Sequence, residues 1–86
     1  MNITQLISNI KKKLEDQIKI ENIKIEDKSF LHKNHAGNQI DRFHIKLSIE
    51  SIELRKMSKI ESNKKIYKIL DQEIKNYIHS LQILIS

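Results

Sequence analysis

The chain contains no cysteine, no proline and no tryptophan among its 86 residues, and it has a single glycine. Without cysteine it can form no disulfide, and it has no thiolate with which to hold zinc or an iron–sulfur cluster by itself. One glycine cannot build the glycine-rich loops that cradle phosphates in P-loop and dinucleotide-binding proteins. These absences exclude several large classes of enzyme and metalloprotein.

Long apolar runs are missing as well, and none approaches the ~20 residues that a membrane-spanning helix needs. The first five residues lack the basic and apolar regions of a signal peptide. A chain of 86 residues is long enough for one small domain with a modest core. We therefore expect a single domain over residues 1–86, in the cytoplasm and not associated with a membrane.

Lysine and arginine together number 16 against 11 aspartates and glutamates, which gives a net charge of +5. A basic balance is typical of nucleic-acid binding, but it also arises from a compositional bias toward isoleucine, lysine and asparagine. Because acidic residues are interspersed along the whole chain, the charge alone does not separate these two interpretations.

The hydrophobic periodicity changes along the chain. Apolar residues at helical spacing predict an amphipathic helix over residues 3–16, with Asn2 as its N-cap. Period-two alternation then predicts two strands, around residues 23–25 and 43–49. The polar segment between them contains the glycine and is expected to be a long loop. The two strands should pair as an antiparallel hairpin.

The second half begins with a polar connection over residues 51–57. Ser58 and Glu61 could form a capping box for a second helix spanning roughly 62–76. The tail from residue 79 alternates again and predicts a third strand. The order helix–strand–strand–helix–strand indicates an α+β fold with both helices on one face of a sheet.

Catalytic signatures are weak. No serine lies in a nucleophile-elbow context. Acidic residues such as Asp71 and Glu73 fall on helical faces that we expect to be exposed, so nothing there would raise a pKa. We do not expect the chain to be an enzyme.

The four histidines are the residues best suited to bind a metal, because imidazole is a good ligand for zinc, copper and iron. His32 and His35 lie in the loop, where a His-x-x-His pair fits either a metal site or two surface residues. His44 lies on the polar phase of its strand and is expected to be a half-exposed sheet residue. His79 is either a metal ligand or a structural histidine bonded to a helix terminus.

An ordered series of short motifs runs over about residues 20–85. Its members are Asp27 to His32, His44-Ile45-Lys46-Leu47, Ile66-Tyr67 with Leu70, and Ile78-His79-Ser80-Leu81. This series resembles the BolA family, which has a D/E-x-S-x-x-H segment, an H-F-K-V-like strand, an I-Y-x-x-L helix and a V-H-A-L-like strand start.

The resemblance implies a fold similar to the class II KH type, with a three-stranded mixed sheet. It also implies a monothiol glutaredoxin as partner and a [2Fe–2S] cluster shared with that partner and with glutathione, for iron–sulfur cluster assembly, trafficking or iron regulation. Its ligands would be His79 and His32, with His35 as the alternate. The isolated chain would carry no cofactor and would be a monomer or a weak homodimer.

A DNA-binding transcription regulator is the alternative function. It would use a set of basic residues around the second helix, which are Arg55, Lys56, Lys59, Lys64, Lys65 and Lys68. Two departures from the BolA pattern weaken this alternative. Ser62-Asn63-Lys64 replaces an R-H-R-like triplet, and Leu54-Arg55-Lys56 replaces an F-x-G turn. No G-x-x-G clamp of the kind used by KH domains is present either.

Overall fold

The structure is a computed structural model and describes residues 1–29 and 42–86. None of the helices in these residues is long and apolar enough to cross a membrane. The elements, in chain order, are α1 (Ile3–Gln17), β1 (Asn22–Asp27), β2 (Phe43–Glu50), α2 (Ile52–Arg55), α3 (Lys59–Ile69), α4 (Asp71–Asn76) and β3 (Ile78–Ile85).

The three strands form one mixed sheet in the order β1-β2-β3, with β2 in the centre. β1 pairs antiparallel to β2, and β3 pairs parallel to it, so that Leu47 has Ile25 on one side and Ile83 on the other. A parallel neighbour needs a crossover connection, which α2, α3 and α4 supply. The predicted hairpin and mixed sheet are therefore confirmed.

One face of the sheet carries the core. Ile45, Leu47 and Ile49 of β2 are at most 2% exposed and form one cluster with residues of the helices. The helices contribute Leu6, Ile10, Leu14, Leu54 and Ile66, and Leu70 joins the cluster from between α3 and α4. The alternate residues of the strands form the second, polar face, as period-two alternation requires. The helices thus cover one face, as predicted.

The first helix begins where the sequence predicts. The Asn2 side chain accepts a hydrogen bond from the backbone N–H of Gln5 at 2.8 Å, and the Gln5 side chain accepts one from the backbone N–H of Asn2 at 3.3 Å. This reciprocal capping box satisfies two amide groups that a helix start leaves without partners.

The connection after β2 is not the irregular segment expected from its polar composition. It contains the short helix α2, because Ser51 is buried and caps it. The Ser51 hydroxyl accepts from the Leu54 N–H at 3.1 Å and donates to the Lys19 carbonyl at 2.8 Å. This cap ties the start of α2 to the segment between α1 and β1.

The second predicted helix is two helices, and its expected start at residue 62 is wrong. α3 begins at Lys59 with Ser58 as N-cap, whose hydroxyl accepts from the Glu61 N–H at 3.1 Å. The helical backbone is interrupted at Leu70, which has φ −97° and ψ 18° and is completely buried. The apolar spacing continues across this break, so periodicity alone could not reveal it.

Glu53 of α2 joins three segments and should make stability depend on pH. Hydrogen bonds from the Lys65 ammonium (2.9 Å) and from the Lys19 backbone N–H (3.1 Å) hold the pKa of the Glu53 carboxyl below its usual value. A pKa lowered by folding stabilises the native state above the unfolded-state pKa, and this stabilisation is lost as the pH falls through the folded-state pKa. The Glu53→Gln variant should therefore melt below wild type at about pH 7 and close to it at about pH 3. Glu15→Gln on exposed α1 is the control, and an equal Glu53→Gln deficit at both pH values would contradict this reading.

Candidate functional site

A β-bulge at the start of β3 sets the direction of His79. Phe43 lies opposite Ile78 and His44 lies opposite Ser80, so His79 has no residue directly across from it. Bulges of this kind re-aim a side chain and interrupt pairing. The His79 ring lies against that of His44, with ring centroids 4.8 Å apart and planes at 31°. His79 itself remains exposed.

His44 is only 7% exposed, so the expectation of a half-exposed sheet histidine is wrong. Its Nδ1 lies 2.6 Å from the Ser80 Oγ on one side, and its backbone N–H donates to the Ser29 Oγ at 3.0 Å on the other. The bulge brings His79 and Ser80 together against this one ring. Because the bulge depends on strand register, no local sequence signal identified either Ser80 or the burial of His44.

Within residues 1–29 and 42–86, the ring contact of His79 is with another histidine, His44. In the same residues, no group of three or more histidine, cysteine, aspartate or glutamate side chains is placed to hold a metal ion. The described part of the site is therefore a histidine pair with one exposed imidazole. A metal centre here needs ligands from elsewhere.

His32 and His35 lie outside the described residues. The residues on either side of their segment are described, and hydrogen bonds join them. The Lys28 N–H donates to the His44 carbonyl at 2.7 Å, and the hydroxyl of Ser29 accepts from the His44 N–H. The residues that directly follow β1 therefore lie beside His44 near the start of β2, at the end of the sheet where His79 lies.

The basic residues around the second helix line two different cavities. Arg55 and Lys59 line a groove of about 370 Å³ between the α2–α3 turn and β3, whose floor includes Met57 and Ile83. Lys65 instead forms an ion pair with Glu53 at 2.9 Å and, with Lys68, lines a separate cavity. Lys56 and Lys64 are exposed. Of the six predicted residues, the structure brings only Arg55 and Lys59 to the groove.

The helix–strand–strand–helix–strand order, with β3 parallel to a central β2, defines an α+β domain of class II KH-like topology. A sequence model of the family described as BolA-like protein matches residues 14–86. The chain belongs to the BolA-like family, which confirms the resemblance seen in its motifs.

Individual relatives agree with this assignment. The DNA-binding transcriptional regulator BolA of Haemophilus influenzae is 28% identical over 83 residues, covering 96% of this chain and 75% of the relative. The BolA domain of SufE1 from Arabidopsis thaliana has a TM-score of 0.79 at 27% identity, with 100% of this chain and 94% of that chain covered. BolA1 from the same plant has a TM-score of 0.78 at 27% identity, covering 92% and 87%.

Proposed function

We propose that this protein is a cytoplasmic, non-enzymatic adaptor that binds a monothiol glutaredoxin and contributes histidine ligands to a [2Fe–2S] cluster passed between the two proteins. The observation that carries the proposal is the exposed imidazole of His79, which lies in the bulge at the start of β3. Its ring lies against His44, which is itself held by Ser80 and Ser29. Ligand rings whose orientation is fixed by neighbouring groups bind metals better than free ones.

The second ligand would come from the segment between β1 and β2. Position 32 is three residues along the chain from the anchored Ser29, and three residues of chain span at most about 11 Å. Position 35 is six residues from Ser29, which gives a reach of at most about 22 Å. The shorter tether sets a tighter limit on the distance between position 32 and Ser29. We therefore assign His32 as the second ligand and His35 as the alternate.

The donor set fits a shared cluster. Two imidazoles can ligate one iron of a [2Fe–2S] cluster while thiolates ligate the other, an arrangement that raises the reduction potential. The chain contributes no thiolate because it has no cysteine. The glutaredoxin cysteine and glutathione would supply the thiolates. The adaptor's own part is to present neutral imidazoles at one edge of a rigid sheet.

The test is to mix the protein with a monothiol glutaredoxin that carries a reconstituted [2Fe–2S] cluster. Formation of a 1:1 complex with a changed visible absorption and circular dichroism spectrum is expected, because histidine would replace a sulfur ligand. Complex formation is followed by size-exclusion chromatography with absorbance at the cluster bands. An unchanged cluster spectrum with no heterodimer would refute the adaptor function.

A second candidate function, DNA-binding transcriptional regulation, rests on the groove between α2, α3 and β3. Arg55 and Lys59 line this groove together with apolar residues such as Met57 and Ile83. The relative from Haemophilus influenzae is named a DNA-binding transcriptional regulator. Cations of this kind bind phosphates and release counterions, so any binding should weaken steeply as the salt concentration rises.

The matched test for DNA binding compares two charge reversals of equal size. Arg55→Glu with Lys59→Glu alters the groove, whereas Lys11→Glu with Lys12→Glu alters exposed residues of α1. The groove variant should lose affinity for duplex DNA and lower the salt-dependence slope by about 2, one per phosphate contact. Filter binding at two salt concentrations measures both. Equal losses in the two variants would show only a non-specific charge effect and would reject the groove.

A further inference from the structure

The β3 edge of the sheet lacks the features that usually keep a strand edge from pairing. Natural sheets protect an exposed edge with charges, prolines or short strands. β1, at one edge, carries Lys24, Glu26 and Asp27, whereas β3, at the other, runs for eight residues with neither a charge nor a proline. Within residues 1–29 and 42–86, β3 pairs with β2 alone. Its outer edge can therefore accept another strand.

The backbone groups at this edge restrict what can bind there. Ser86 donates to the Ile49 carbonyl and accepts from the Ser51 N–H, so residue 86 directs both backbone groups toward β2. Backbone direction alternates along a strand, so every second residue directs its N–H and C=O groups outward. These residues are Leu81, Ile83 and Ile85. An extended polypeptide offers donors and acceptors in the same alternation, whereas the phosphate oxygens of DNA only accept hydrogen bonds.

The groove of about 370 Å³ beside this edge is positively charged. Its lining includes Ile83, Leu84 and Ile85 of β3 together with Arg55 and Lys59. None of the described residues that line it is acidic, and neither cation forms an ion pair within residues 1–29 and 42–86. Because complementary charge selects partners, the groove favours acidic side chains and repels basic ones.

Apolar surface lies in the same groove. Leu84 is 46% exposed, Ile83 and Ile85 are only half-buried, and Leu54 and Met57 add to the lining. Alternate residues of an added strand point to the same face of the sheet, so those on the helix-covered face would lie over this groove. Apolar side chains at some of these positions would bury the exposed surface and favour binding.

We propose that the β3 edge and the adjoining groove bind an extended, acidic segment of another protein, which joins the sheet as a fourth strand. Its backbone pairs with the outward-directed groups of β3, and its side chains meet the groove and its two cations. In strand addition, main-chain hydrogen bonds give affinity and side-chain pockets give specificity. His79 and Ile85 are six residues apart on β3, about 20 Å at the rise of a strand, so this site is separate from the proposed cluster site.

The probe is a short synthetic peptide with blocked ends, in which valine and glutamate alternate. Isothermal titration calorimetry should show saturable binding to the full chain, and the same peptide with lysine in place of glutamate should not bind. Arg55→Gln with Lys59→Gln should weaken binding roughly fivefold, the loss expected of two exposed ion pairs. Lys11→Gln with Lys12→Gln, on exposed α1, is the matched control and should bind like wild type. No binding to wild type, or equal losses in the two variants, would overturn the proposal.

Amide hydrogen exchange tests the addition of a strand. The peptide should slow exchange at Leu81, Ile83 and Ile85, whereas Gln82 and Leu84, which face β2, should be protected with or without it. N-methylation of every second peptide residue gives two isomers. One isomer loses the N–H groups that face β3 and should not bind, and the other keeps them and should bind. Unchanged exchange at the three outward amides, or equal affinities of the two isomers, would show that no strand is added.

Duplex DNA is the other occupant that this groove could take. DNA would contact Arg55 and Lys59 through its phosphates, so it should compete with the peptide without slowing exchange at the outward amides of β3. If the wild type binds duplex DNA through these two residues but does not bind the valine–glutamate peptide, the groove is a nucleic-acid surface and the proposal fails.

Discussion

Replacing His79 with alanine is expected to abolish the change that this protein causes in the spectrum of a glutaredoxin-bound [2Fe–2S] cluster. Loss of an outer group around a metal site typically costs 10–100-fold in affinity, and loss of a ligand should cost more, so we expect a decrease of more than about 100-fold. Because the His79 side chain is exposed, the variant should keep its fold. A titration followed by visible circular dichroism, with the thermal unfolding temperature measured in parallel, gives both values.

Neighbouring substitutions make this result specific. Ser80→Ala removes the hydroxyl 2.6 Å from His44 but leaves the His79 imidazole in place, so it should weaken the effect less than His79→Ala does. His32→Ala should behave like His79→Ala, and His35→Ala like wild type. The reverse outcome for these two variants would move the loop ligand to His35. If the His79→Ala protein still forms the heterodimer and changes the spectrum, His79 is not a ligand of the shared cluster.

The sequence predicted those elements whose structure follows from the spacing of nearby residues. The helix from Ile3, its cap at Asn2 and the strand alternation all came from periodicity and capping, which act over a few residues. The bulge beside His79 did not, because it depends on how β2 and β3 align, more than 30 residues apart. The same limit applies to His44, whose burial comes from neighbours on another strand.

Glu73 shows a second limit of pattern-based prediction. Its place among polar residues of the second predicted helix indicated an exposed carboxylate, but Glu73 is 4% exposed. Glu73 lies three residues after Leu70 and seven after Ile66, which are both completely buried, so helical spacing places it on the buried face. Its Oε2 pairs with the Lys13 ammonium of α1 at 2.6 Å, and its Oε1 has no hydrogen-bond partner within residues 1–29 and 42–86. One lysine therefore neutralises a buried charge.

Lys13→Met should accordingly destabilise the protein by about 3 kcal/mol, because it leaves a carboxylate buried without its cation. We take the lower end of the usual range since the Lys13 side chain is 36% exposed and the pair borders a cavity of about 430 Å³ that water can enter. Small domains are stable by only about 5–15 kcal/mol, so this loss should be plain in urea unfolding. Lys12→Met, the exposed neighbour, is the control and should change stability by less than about 0.5 kcal/mol.

The double variant Lys13→Met with Glu73→Leu decides whether the pair or the buried charge is responsible. Replacing a whole buried ion pair by apolar residues of similar size is often neutral, whereas removing one partner is costly. If the cost of Lys13→Met comes from the uncompensated carboxylate, the double variant should recover most of the lost free energy of unfolding, which is about 3 kcal/mol. If it is as unstable as Lys13→Met, the lysine stem contributes through packing between α1 and α4, and the charge of Glu73 is not what makes Lys13 necessary.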